Sequence, residues 1–313
     1  MRIVFMGTPA FSVPSLESLL RSGHEVAAVY TRADRPRGRG LRLAASPVKR
    51  FAAVRGLTVL QPESLRPPEV PERMRLSAPD LIVVVAYGRI LPEAMLRIPR
   101  YGAVNVHASL LPRHRGAAPI PWAILAGDRE TGVTTMQMDP GMDTGPVLLQ
   151  RRCAIGAAET AGELSARLAA LGAELLMETL DGIGRGTLRP LPQDPEGATY
   201  APRLRPENAR IDWGEGAGPI DRRVRAMNPA PGAFTRLGGL RLKIWRVRPL
   251  PPGPDSTDPG TVLGVSGEGW RVGCGGSGRL EILELQPEGG SRMNPAAFGR
   301  GRGLGPGVRF GGG

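Results

Sequence analysis

The chain has 313 residues, 41% of them apolar and only 4% aromatic, enough for one large core or two ordinary ones filled mainly by Ala, Leu and Val. Its net charge of +12 is unusual for an enzyme of small neutral metabolites and favours a polyanionic partner, nucleic acid before membrane. Lysine occurs only at Lys49 and Lys243, so nearly all basic residues are Arg; a genome rich in Arg, Ala, Gly and Pro would raise Arg without any ligand, but need not raise the net charge. Cys153 and Cys274 are isolated, with no CxxC spacing, which suits a reducing cytoplasm and, with three His, argues against a structural zinc site. No charged-then-apolar leader and no apolar run of membrane length are seen, so a soluble cytoplasmic protein is expected.

An apolar run over 3–6 stops at Gly7-Thr8-Pro9, helical spacing follows over 15–21, and a second apolar run covers 26–30. This is a βαβ unit and predicts a parallel sheet. The turn is not GxGxxG, so no dinucleotide site is assigned. Residues 31–50 hold Arg32, Arg35, Arg37, Arg39, Arg42, Lys49 and Arg50 against one acid, Asp34, while Pro36, Gly38 and Gly40 keep the middle out of helix. Such a loop can settle on phosphates or can simply be a solvated surface. A helix is predicted from Pro47 to 55, a strand over 57–60, a short helix within 65–75, and over 80–86 a strand apolar on both faces, as a central parallel strand should be. Ligands of open parallel sheets bind at the carboxyl ends of strands, which is where Tyr87-Gly88-Arg89-Ile90-Leu91-Pro92 falls.

The stretch Asn105-Val106-His107 reads as the end of another strand. Asn105 and His107 are two apart and point to the same side. An amide and an imidazole aimed together can donate to charge that develops in a reaction. Asp143 lies between glycines in Gly141-Met142-Asp143-Thr144-Gly145, where a carboxylate can be carried back to orient that ring. A buried His bonded to backbone would account for the same pattern, so residue type alone leaves both readings open. After a loop in which Arg113 and Arg115 can face nucleic acid and His114 reads as a surface residue, a helix is expected over 121–126, strands over 131–138 and 146–155, and a long Ala/Leu helix over 160–180. Residues 182–207 turn Pro- and Gly-rich. The expected division is a catalytic domain over 1–189, a linker over 190–208 and a second domain over 209–313. In the last, one helix over 220–227 and several short apolar runs separated by Gly and Pro suggest a small β-barrel. The Gly/Arg-rich tail from 298 is assigned nothing.

From His107 the chain reads His-Ala-Ser-Leu-Leu-Pro-Arg-His-Arg-Gly-Ala-Ala-Pro119, with Asp143 downstream. This resembles the signature of the 10-formyltetrahydrofolate-dependent formyltransferases. Phe5-Met6-Gly7-Thr8-Pro9, Asp34 to Gly40, Ser46-Pro47-Val48-Lys49, Ala86 to Pro92, Arg210-Ile211-Asp212-Trp213 and Leu285-Gln286-Pro287 extend the likeness in one order along nearly the full chain. The resemblance implies an α/β fold: a Rossmann-like, mostly parallel sheet domain followed by a small C-terminal OB-like β-barrel that adds to a tRNA surface. Within the family it is nearest to members that move a formyl group from 10-formyltetrahydrofolate to the α-amino group of initiator methionyl-tRNA for translation initiation, working as monomers without a metal. It implies catalytic roles for Asn105, His107 and Asp143. It implies a folate site made by Ala86, Tyr87, Gly88, Arg89, Ile90 and Leu91, through backbone groups and packing of Ile90 and Leu91, together with Ser109, Leu110, Leu111 and Pro112. Arg39 would touch the acceptor stem, with Arg35, Arg37 and Arg42 beside it. Ala108 stands where small residues, often Gly, follow the His. A formyltransferase of amino-sugar nucleotides or purine precursors, a formate-releasing hydrolase, and a non-catalytic RNA binder are the alternatives.

Overall fold

The computed structural model describes residues 1–37, 42–253 and 258–311. They form two compact units: Met1–Pro119 with Glu130–Ala154 and Ser165–Pro202, and Ile120–Arg129 with Ile155–Leu164 and Arg203–Gly313.

The chain opens with strand β1 (Arg2–Gly7), helix α1 (Val13–Arg21) and strand β2 (Glu25–Tyr30). β1 and β2 pair in parallel, as the opening βαβ pattern predicts. Two short strands, β3 (Arg35–Arg37) and β4 (Arg42–Ala44), then pair antiparallel, so the basic stretch has a hairpin base. Helix α2 (Pro47–Val54) starts where the Ser46 hydroxyl accepts from the Lys49 N–H at 3.0 Å and Pro47 occupies the first turn, where its missing N–H is harmless. Strand β5 (Val59–Leu60), helix α3 (Glu69–Leu76), strand β6 (Leu81–Val85), helix α4 (Glu93–Leu96) and strand β7 (Ala103–His107) follow. After helix α5 (Pro119–Ala126) come strands β8 (Glu130–Gln137) and β9 (Val147–Ala154) and helix α6 (Ala161–Arg185).

The first unit's sheet runs β5-β2-β1-β6-β7-β8-β9. It is parallel from β5 to β7, and β8 and β9 are antiparallel. Every residue of β6 and β7 is buried, which explains why β6 reads as an unbroken apolar run. Val4, Met6, Ala28, Tyr30, Ile82, Val84, Tyr87, Leu91 and Met95 belong to one core cluster. Gly172 lets α6 lie close to the sheet: a Cβ there would stand 2.9 Å from Val106 Cγ1.

In the second unit, helix α7 (Ala217–Ala226) precedes five strands, β10 (Ala233–Leu237), β11 (Leu240–Leu250), β12 (Val262–Ser266), β13 (Gly269–Gly273) and β14 (Arg279–Pro287). They form an antiparallel sheet in the order β10-β11-β14-β13-β12, the five-strand complement of an OB-like domain. The tail, to which the sequence assigns nothing, packs into this unit. Helix α8 (Pro295–Arg300) is capped by Asn294 Oδ1, which accepts from Ala297 N–H at 2.7 Å. Phe298 and Phe310 are both buried. Phe310 stacks on Trp213 at 5.3 Å, and Phe298 meets Trp270 edge-on at 5.9 Å. Two aromatic anchors thus fix a stretch whose glycine content disguises it.

Candidate active site

β7 ends at the carboxyl edge of the parallel sheet, next to β6, and carries Asn105 and His107 to one side. Both are nearly buried. Asp143 arrives from the loop between β8 and β9. Gly145 allows that loop its close approach, since a Cβ there would fall 1.9 Å from Gln137 O. The three predicted side chains meet. Asn105 Nδ2 donates to Asp143 Oδ1 at 3.3 Å, and His107 Nδ1 lies 3.6 Å from Asp143 Oδ2. The second separation is an ion-pair distance rather than a hydrogen bond.

The other side of the imidazole holds a partner that sequence reading missed. His107 Nε2 stands 3.0 Å from the backbone oxygen of His114. A carbonyl only accepts, so Nε2 carries the hydrogen, and in the neutral ring Nδ1 is bare towards Asp143. Asp143 Oδ2 in turn accepts the Gly116 N–H at 2.8 Å. The loop after β7 therefore supplies one backbone acceptor and one backbone donor. His114 is buried rather than exposed, with its N–H donating to Thr199 Oγ1 at 2.8 Å. Arg115 is buried too, because Gln193 Oε1 accepts from its Nε at 3.0 Å and its Nη2 at 2.7 Å; of the two arginines expected to face nucleic acid, only Arg113 is exposed. Any residue has a carbonyl and almost any an N–H, so His114 and Gly116 gave no signal in the sequence.

The expected folate residues divide by exposure. At the end of β6, Ala86 and Gly88 adopt left-handed backbone (φ 47° and 81°), and Ala86, Gly88 and Ile90 are exposed. Tyr87 and Leu91 point into the core instead, and burial pushes the Tyr87 phenol up from its ordinary pKa. Arg89 donates from Nη1 to Pro62 O at 2.9 Å. The first turn lies alongside: Thr8 Oγ1 donates to Tyr87 O at 3.1 Å and Ser12 Oγ to Val85 O at 2.6 Å. Ser109 and Leu111 are buried, Leu110 and Pro112 half-buried. Thr134 Oγ1 holds that corner by donating to Ser109 O at 2.7 Å and accepting from Leu111 N–H at 3.1 Å.

Of the arginines expected on tRNA, Arg35 is exposed on β3, Arg37 and Arg42 close the described ends of the hairpin, and Arg39 lies outside the described residues. Asp34 anchors the hairpin base: Lys49 Nζ reaches its Oδ2 at 2.7 Å and Gln61 Nε2 donates to its Oδ1 at 2.8 Å. The hydrogen bonds from Lys49 and then Gln61 hold its carboxyl below the usual carboxylate range. Among the described residues no group of three or more His, Cys, Asp and Glu is arranged to hold a metal ion, and no helix is long and apolar enough to cross a membrane.

Asn105, His107 and Asp143 thus cluster at the carboxyl end of a mostly parallel sheet, and this fold is that of the formyl transferases. The formyl transferase family matches residues 1–180 and the formyl transferase C-terminal domain matches 203–303, and the chain belongs to this family. It is 52% identical over 298 residues to the methionyl-tRNA formyltransferase of Methylococcus capsulatus, covering 95% of this chain and 96% of that one. Among solved structures it resembles HypX from Aquifex aeolicus in complex with tetrahydrofolic acid, with a TM-score of 0.67 and 20% identity over 97% of this chain and 48% of that one. An N-formyltransferase from Helicobacter canadensis, in complex with folinic acid and dTDP-3-aminofucose, matches with a TM-score of 0.66 and 18% identity over 90% of this chain and 98% of that one.

Proposed function

We propose that this enzyme transfers the formyl group of 10-formyltetrahydrofolate to the α-amino group of initiator methionyl-tRNA. The observation that carries the reading is the 52% identity to a methionyl-tRNA formyltransferase along 95% of the chain, both matched regions included. The exposed backbone of Ala86 and Gly88, with the apolar Ile90 beside it, fits a flat heterocycle whose edge carries donors and acceptors. 10-Formyltetrahydrofolate supplies the activated formyl carbon.

The side chains divide the work. One amide hydrogen of Asn105 is held by Asp143 Oδ1. The second is the donor for negative charge gathering on the formyl oxygen, a contact worth about 3–4 kcal/mol of barrier. His107 keeps Nε2–H on His114 O, so Nδ1 is the nitrogen that takes up a proton. Asp143 then faces a charged ring and stabilises it, as the 3.6 Å separation from Nδ1 supports. From this pair the proton of the attacking amine passes, directly or through water, to the departing nitrogen. The basic stretch that carries Arg35, Arg37, Arg39 and Arg42 takes the acceptor stem through phosphate contacts. The enzyme works as a monomer in the cytoplasm.

The test is single-turnover formyl transfer from 10-formyltetrahydrofolate with charged initiator tRNA, free methionine and a nucleotide-linked amino sugar as separate acceptors. Transfer to the charged tRNA, weakening steeply as salt rises, is expected. Transfer to a small amine or to water alone would overturn the acceptor and leave the family standing.

A further inference from the structure

Gln193 lies in residues 181–202, outside both matched regions and within the stretch whose composition suggests a linker. We propose that it is a positioning residue of the active site, tying the loop that carries Asp143 to the loop that carries His114 and Gly116. The proposal rests on the formyl-transfer reading above.

Its amide is used on every side. Nε2 donates to Asp143 O at 2.9 Å and to Gly145 O at 2.7 Å. Oε1 accepts from Arg115 Nε at 3.0 Å and Nη2 at 2.7 Å. Two donors and two lone pairs are the whole capacity of the group. The planar fork of a buried arginine on one side and two backbone carbonyls on the other fix its orientation. The chain around it is pinned at both ends. Leu191 exchanges two backbone hydrogen bonds with Val147, both 2.8 Å, and Arg115 N–H donates to Thr199 O at 2.8 Å while Ala201 N–H donates to Arg115 O at 2.7 Å. The strap thus spans from β9 to the loop after β7, and Gln193 joins that loop to the Asp143 loop between them.

This matters because Asp143 adopts left-handed backbone, φ 54°, at a tight turn that sets where its carboxylate points. Gln193 holds the Asp143 carbonyl itself and the one two residues on. The carboxylate is thereby delivered to Gly116 N–H, Asn105 and His107 together. Glutamate in its place cannot donate to the two carbonyls and turns a negative oxygen on them. Methionine fills the space with no polar atom to offer.

The experiment uses full-length Gln193→Met and Gln193→Glu, with Glu196→Gln in the same strap as control. Both Gln193 variants are expected to transfer formyl about 10- to 100-fold more slowly at saturating substrates, the scale of a misplaced catalytic group. The KM values for charged tRNA and 10-formyltetrahydrofolate stay within about twofold, which separates positioning from binding. Arg115→Lys keeps the charge but loses the fork, so it reproduces the slowing from the other end of the brace. In substrate-free protein the His107 ring nitrogens shift by NMR in all three variants and not in the control. A saturating rate within about threefold of the parent in every folded variant, or a loss confined to KM or to thermal stability, overturns the proposal. If the parent itself formylates nothing, the functional reading fails, and the His107 spectra still decide whether Gln193 sets the geometry of the site.

Discussion

Asp143→Asn separates the charge of the carboxylate from its shape. Asparagine is among the few residues that tolerate left-handed backbone, so the φ of 54° is kept. The carboxylate accepts from Gly116 N–H at 2.8 Å and from Asn105 at 3.3 Å, and stands 3.6 Å from His107 Nδ1. An amide has one oxygen where the carboxylate had two, so one of these donors meets an NH2 group. The stability cost is that of about one hydrogen bond, roughly 0.5–1.5 kcal/mol. The rate cost is larger. With no anion to stabilise the charged ring or to move the amine's proton, transfer slows about 10²- to 10⁴-fold, which is about 3–5 kcal/mol of barrier. Asp143→Ala loses both acceptors and adds about 1–2 kcal/mol of left-handed backbone strain, so it is the less stable variant at a similar rate. Single-turnover transfer at saturating substrates, read beside urea midpoints, measures both quantities. A folded Asp143→Asn that keeps a third of the parent rate would refute the role given to the carboxylate.

Two further outcomes test the second unit. Phe310→Ala opens a cavity between Trp213 and Trp270 and costs about 3–5 kcal/mol, seen as a lower urea midpoint. All four tryptophans, 122, 213, 245 and 270, belong to this unit, so their fluorescence reports it alone; a loss under about 1 kcal/mol would mean the tail contributes little. Burial pushes the Cys274 thiol up to about 12 from 9.0. In the native protein at pH 8 alkylation is therefore confined to the half-buried Cys153. Because the unfolded chain ionises this thiol first, stability falls as pH rises from about 9 towards 12. A Cys274→Ala chain with the same alkaline slope, or rapid native labelling of Cys274, would contradict this.

What the sequence made legible was whatever repeats locally or depends on residue type. The opening βαβ unit, the all-apolar β6 and the long α6 follow from spacing and side-chain chemistry, whereas the grouping of Asn105, His107 and Asp143 was implied by the family resemblance, residue type alone leaving it open. The hairpin base of the basic stretch did not show, because three-residue strands containing Pro36 and many arginines carry no alternation. The tail hid two buried phenylalanines among glycines. Residues 190–202 read as linker because proline and glycine dominate their composition, yet they lie in the first unit and hold Arg115, His114 and Asp143 through Gln193 and Thr199. Composition records what a segment cannot bury; it is silent on which hydrogen bonds the segment makes.

Backbone conformation explains why that gap falls at the site. Among the described residues five non-glycine residues have left-handed φ: Ala78, Ala86, His114, Asp143 and Ser277. Three of them, Ala86, His114 and Asp143, belong to the stretches that build the site. Alanine disfavours this conformation by about 1–2 kcal/mol, Asp and His adopt it more readily, and contacts from distant sequence reach the turns at His114 and Asp143. For His114 that contact is Thr199, 85 residues on, and for Asp143 it is Gln193, 50 residues on. Both loops turn sharply here as they bring a carbonyl and a carboxylate to one imidazole. The distant contacts that hold these turns are therefore the ones whose loss should slow the reaction before it unfolds the chain.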